Sequence, residues 1–161
     1  RVGADLADRL LSRLNADKTL RGAVRSLVEL HSRPAAYEPS WTDSAVRRYV
    51  TDAGPLLPKL HKLVRADCTT RNKRRAARLQ SNYDDLERRI SELAAKEDLA
   101  RVRPDLDGNE IMGILGIPAG PEVGEAWRHL KELRLDRGPL SHEDAVEELM
   151  KWWNSRQQPG V

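Results

Sequence analysis

The residues best placed for chemistry lie between Arg65 and Arg78, in the run Arg65-Ala-Asp-Cys-Thr-Thr-Arg-Asn-Lys-Arg-Arg-Ala-Ala-Arg78. From Lys59 to Arg78 every charged side chain is Lys or Arg except Asp67. Such a cluster attracts an anionic partner; the plainer alternative is a solvated helix face. Asp67 is either a local ion-pair partner or one ligand of a phosphate-hydrolysing metal site, and one ligand makes no site. Cys68 has cationic neighbours that favour a thiolate, yet no motif pairs it with a histidine, so it reads as a structural cysteine.

Two further stretches carry chemical signals. Asp105-Leu-Asp107 has the spacing that lets two carboxylates on one strand face hold a catalytic magnesium, but Pro104, Gly108 and the lack of a β-branched run assign it to turn and cap chemistry. Gly116-Ile-Pro-Ala-Gly120-Pro-Glu-Val-Gly124 joins two predicted helices and resembles in outline a helix-hairpin-helix turn, with backbone N–H groups near Gly120 and Gly124 aimed at a phosphate. A tight turn without a ligand is the alternative, and Arg128 and Lys131 favour the anion. No Gly-Lys-Ser/Thr follows, so it is not a P-loop. His31, His61, His129 and His142 show no metal-ligand spacing.

A chain of 161 residues is long enough to bury a core without disulfides. Its single cysteine excludes an internal bridge and fits a reducing compartment such as the cytoplasm. No apolar run approaches the roughly 20 residues of a membrane span. The formal charge of +3 is modest, so the crowding of cations in the middle of the chain matters more than the total. The lack of Phe and the three Tyr argue against the aromatic-bearing sheets that bind single-stranded nucleic acids.

The elements that position these residues read as helices throughout. Val2, Leu6, Leu10 and Leu14 recur every four residues, with Ala7 and Leu11 widening the stripe, so the chain is expected to begin inside an amphipathic helix, as though in the middle of something longer. Asn15 or Asp17 caps a second helix with Leu20, Val24, Leu27, Val28 and His31 on one face, ended by Pro34. Thr42 caps a short helix carrying Ala45, Val46, Tyr49 and Val50, and Gly54-Pro55 closes it. Leu56, Leu57, Leu60, Leu63 and Val64 form the next stripe. From Thr70, Ala76, Leu79, Tyr83, Leu86, Ile90 and Leu93 give the heptad seam of a long helix. That helix is basic at its start and acidic later, against its own dipole, which calls for a partner. Gly120-Pro121 opens a helix through Trp127, Leu130 and Leu133 to Gly138. Ser141 caps the last helix, with Val146, Leu149, Met150 and Trp153 facing inward.

Three segments carry a family resemblance: Trp41-Thr-Asp-Ser-Ala-Val-Arg-Arg-Tyr-Val50, Arg65-Ala-Asp-Cys-Thr-Thr-Arg-Asn72, and Asp107-Gly-Asn-Glu-Ile-Met followed by Leu115 to Gly124. Together they resemble the C-terminal part of bacterial CCA tRNA nucleotidyltransferases, particularly the actinobacterial kind, within the superfamily that includes poly(A) polymerases. The resemblance implies an all-α helical bundle: the later half of an HD-like domain over residues 1–67, a long connecting helix over 68–100 and a small helical body over 101–161. It implies that the N-terminal catalytic head of the same protein is missing here, and that Asp67 stands at the HD domain's last Asp as a remnant metal position.

In such an enzyme Mg2+, CTP and ATP serve the transfer, with none expected in this fragment, which would be inactive alone and would hold tRNA. Arg65, Arg71, Lys73, Arg74, Arg75, Arg78 and Arg128 are the candidate RNA contacts, with backbone near Gly120 and Gly124. Two other readings stay open. A protein-interaction module or homodimer would use the seam of residues 76–93, and a remnant phosphohydrolase would need metal at Asp67.

Overall fold

Helix-forming periodicity and local caps translate directly into elements. The computed structural model describes residues 2–67, 72–99 and 102–157. Among them are α1 (Val2–Arg13), α2 (Lys18–Leu30), α3 (Ser32–Ala35), α4 (Asp43–Ala53), a 3₁₀ turn (Gly54–Leu56), α5 (Leu57–Ala66), α6 (Lys73–Lys96), α7 (Gly108–Leu115), α8 (Pro121–Arg137) and α9 (His142–Gln157). No strand occurs among the described residues, so the chain is all-α as expected. Thr70, the expected start of the long helix, lies outside the described residues, as do Cys68 and Arg71.

The chain divides into two compact units, Arg1–Ala95 and Lys96–Val161. In the first, Asp17 caps α2 by accepting from the Thr19 and Leu20 amides, and Thr42 caps α4 through the Ala45 amide. Tyr37, Val46, Tyr49, Leu60 and Leu86 form its buried centre. Tyr83 and Leu93 are buried too, so the heptad seam of α6 packs into this unit. The long helix expected over 68–100 is described over Lys73–Lys96. Ala76, Leu79 and Ile90 of the same seam are half-buried.

Two packing expectations fail for identifiable reasons. Val2, Leu6, Leu10 and Leu14 are 57–75 % exposed, because α1 turns its other face to α2. Ala4 is buried there, and the Arg21 guanidinium grips Asp8 through two bonds of 2.9 Å, with Arg25 on Asp5 at 2.8 Å. The bond from Arg21 holds the Asp8 carboxyl below the usual range. Pro34 does not end α2, which stops at Leu30; it sits buried one turn later in α3. His31 is exposed, its Nδ1 donating to the Val28 carbonyl at 2.6 Å.

In the second unit Leu106, Ile111, Ala126, Leu130, Ala145 and Leu149 form the core. Asp107 caps α7 in a capping box with Glu110, and Gly116 ends it at φ 65°, a left-handed conformation that suits glycine. Asp105 accepts from Arg134 at 2.8 Å and from the Leu140 amide at 3.2 Å. Both carboxylates of the Asp-x-Asp pair therefore do turn and cap work. On α9, Ser141 accepts from the Asp144 amide as expected, but Ala145 and Trp152 pack with Leu149 while Met150 is exposed.

Candidate nucleic-acid interface

Opposite charges on α6 meet opposite fates. Its acidic turns are engaged within the first unit. Arg65, at the end of α5, donates to Gln80 at 2.9 Å, Asp84 at 2.7 Å and Glu87 at 2.8 Å, and lies over the Tyr83 ring. Glu87 also faces His61 Nδ1 at 3.1 Å. Arg88 bonds Glu92 at 2.6 Å and pairs with Asp85. The partner that the acidic half calls for is thus internal. Arg65, one of the candidate RNA contacts, is committed to this network and ties α5 to α6.

The basic start of α6 is different. Asn72 caps it by accepting from the Arg75 amide at 3.1 Å. Lys73, Arg74, Arg75 and Arg78 are exposed and have no ion-pair partner among the described residues. Positions 74, 75 and 78 fall within about 100° of one another around the helix axis, so their guanidinium groups share a face. Cations at a helix start oppose its macrodipole, so the helix does not need them there for its own stability.

That same face, followed down α6, carries Asn82, Asp85 and Arg89, and these clamp the segment after α3. Asn82 donates to the Tyr37 carbonyl at 3.1 Å, the Tyr37 hydroxyl donates to Asp85, and Arg89 reaches the Pro39 carbonyl at 3.4 Å and Asp43 at 2.9 Å. Burial, and then the bond to Asp85, raise the Tyr37 phenol above its ordinary value; that bond and Arg88 hold the Asp85 carboxyl down. The donor is therefore protonated and the acceptor ionised at neutral pH. Trp41 packs edge-on to Tyr37 at 5.3 Å. Between the clamped segment and α6 lies a cleft of about 440 Å³, and Arg78 lines it.

Sequence reasoning singled out Lys73, Arg74, Arg75 and Arg78, which the structure leaves exposed, but missed the clamp and the cleft. Their parts come from positions some 45 residues apart, and the one available signal was an Asn on the flank of an apolar seam. The other candidates separate from this cluster. Arg71 lies outside the described residues. Gly120 precedes α8 in extended backbone, and an added Cβ there would meet the Glu122 carboxylate at 3.1 Å, so a negative group already lies beside that helix start. Gly124 has open space around it and Arg128 is exposed. Lys131 lies over the Trp127 ring. Asp67 caps the end of α5, and no group of three or more His, Cys, Asp or Glu among the described residues is placed to hold a metal. Among the described residues, Asp67 has no companions of the kind a magnesium site needs, and the phosphohydrolase reading finds no site there.

This chain is 34 % identical over 142 residues to the A-adding tRNA nucleotidyltransferase of Deinococcus radiodurans, a match covering 83 % of the chain and 30 % of that protein. It is 31 % identical over 158 residues to the CC-adding tRNA nucleotidyltransferase of Thermus thermophilus, covering 97 % of the chain and 33 % of that protein. The chain is similar to tRNA nucleotidyltransferases. The likeness runs through nearly all of it, yet the chain spans only about a third of the length of these relatives. No family model and no solved structure matches. The two tRNA nucleotidyltransferases bear names for different additions, A in one and CC in the other, and this chain is about equally similar to both.

Proposed function

We propose that this chain is the tRNA-holding, C-terminal part of a bacterial, actinobacterial-type tRNA nucleotidyltransferase acting in the cytoplasm, and that it grips the phosphate backbone through Lys73, Arg74, Arg75 and Arg78. The observation that carries the reading is the exposed cationic face at the start of α6, which has no ion-pair partner among the described residues, while the acidic turns of the same helix are engaged by Arg65 and Arg88. Similarity to an A-adding and a CC-adding relative in equal measure supports a task common to both additions, and holding the tRNA is such a task. Choice between CTP and ATP, and the Mg2+ that assists transfer, belong on this view to a catalytic head elsewhere in the same protein.

The test is tRNA binding by the chain at two salt concentrations, beside the Arg74→Ala/Arg75→Ala/Arg78→Ala variant. The wild type should weaken steeply with salt, and the variant should bind more weakly with a log–log salt slope smaller by about 2–3. Equal affinity and slope for both proteins would remove this face from tRNA binding.

A further inference from the structure

The lining of the cleft beside Arg78 carries charge of both signs. Arg78 brings a cation without a partner, and Glu38, on the clamped segment, brings a carboxylate that likewise has no partner among the described residues. Also in the lining, Asn82 has one amide hydrogen bonded to Tyr37, which leaves its carbonyl oxygen and second hydrogen without a partner among the described residues, and the Ser40 hydroxyl likewise has none there. Leu79 and Pro39 add apolar wall. The clamp fixes this wall without a ligand.

These groups select among anions. Glu38 repels a bare phosphate, and a cleft of about 440 Å³ excludes a base-paired helix while falling in the range of ~300–1,000 Å³ typical of small-molecule sites. The ligand that matches both charges has a phosphate and a flat body with an N–H donor. A nucleotide whose base carries an exocyclic amino group has that form, since a carboxylate accepts from such a group while an arginine takes the phosphate. Uracil offers a carbonyl where cytosine has its amino group, and would face Glu38 acceptor to acceptor.

We infer that the cleft takes one unpaired, amino-bearing nucleotide of the bound RNA, its phosphate on Arg78 and its amino group on Glu38. The inference rests on the RNA-holding reading above and adds base discrimination to it. Glu38 is exposed on a segment fixed by other residues, so its removal leaves the fold in place.

The experiment measures the affinity of the full chain for labelled oligo(C), oligo(A) and oligo(U) of equal length by fluorescence anisotropy, in the wild type, Glu38→Ala and Arg78→Ala, with tRNA as a fourth ligand. Simple electrostatics makes Glu38→Ala bind every RNA more tightly, because a negative charge is lost. The cleft predicts the reverse for two of them: oligo(C) and oligo(A) weaken about tenfold, oligo(U) does not weaken, and Arg78→Ala weakens all three alike. Unchanged or tighter oligo(C) and oligo(A) binding by Glu38→Ala overturns the inference. If the wild type binds tRNA with the salt dependence above but does not distinguish the three oligonucleotides, the cleft assignment fails alone. Absence of tRNA binding removes both readings.

Discussion

Two helices in this chain start where the sequence promises an anion, and they end up built for different ends. The start of α6 carries Lys73, Arg74, Arg75 and Arg78, exposed and without ion-pair partners among the described residues, and Arg74, Arg75 and Arg78 lie on the face that leads into the cleft. The start of α8 has the Gly-Pro geometry that frees backbone N–H groups, yet Glu122 lies beside Gly120. A carboxylate in the first turn already complements the helix dipole. On the proposed reading, what marks a helix start as a binding surface is charge that the fold leaves uncompensated, whatever its turn chemistry.

The comparison can be strained first through the cores beneath the two helices. Leu86, on the buried side of α6, and Leu149, on α9 against α8, are both fully buried, and each Leu→Ala change should cost about 2–5 kcal/mol in chemical unfolding. Leu86→Ala should also lose tRNA affinity on warming sooner than Leu149→Ala, since it loosens the helix proposed to carry the grip. Parallel loss in both variants would mean that the grip is not local to α6.

Next in size is the charge comparison. The triple Arg variant of α6 should lose tRNA affinity on the order of 30-fold at moderate salt, whereas Arg128→Ala should lose less than about threefold. Glu122→Gln sharpens the point from the other side: its tRNA affinity should stay within about twofold of wild type, and a large gain would expose α8 as an anion site masked by its own carboxylate.

The smallest effect is a pH dependence. Burial lowers the His61 pKa against the opposing pull of Glu87, with Arg65 also facing the ring and Tyr49 stacked on it. His129, stacked on Trp152 in the second unit, is lowered by burial as well. A histidine whose folded pKa lies below its unfolded value of about 6.5 gives full stability above that pH. The contribution falls as the pH drops towards the folded value, because the unfolded chain takes up the proton first. Melting temperature should therefore decline below about pH 6.5, and His61→Phe or His129→Phe should each flatten part of the decline. Asp85, held low by Tyr37 and Arg88, adds a second loss at more acidic pH.

What the sequence disclosed and what it hid follow the range of the interactions. Asp17, Thr42, Asp107 and Ser141 cap the helices they were expected to cap, because a cap is settled within three residues. The heptad seam of α6 was visible because periodicity is a property of one helix. The rotation of α1 was not, since salt bridges from α2 decide which face turns inward and leave the leucine stripe outside. Arg65 and Arg78 look alike in a list of cations. Only the acidic side chains of α6, some 20 residues from Arg65, distinguish a structural arginine from an available one.

The bonds from Asn82, Asp85 and Arg89 to the segment around Tyr37 have a thermodynamic consequence for anything entering the cleft. The wall is preorganised, so a ligand has little chain to order and loses correspondingly little conformational entropy on arrival. Binding there should depend on ligand chemistry rather than on loop closure, with association rates close to those set by electrostatic encounter at the α6 cations.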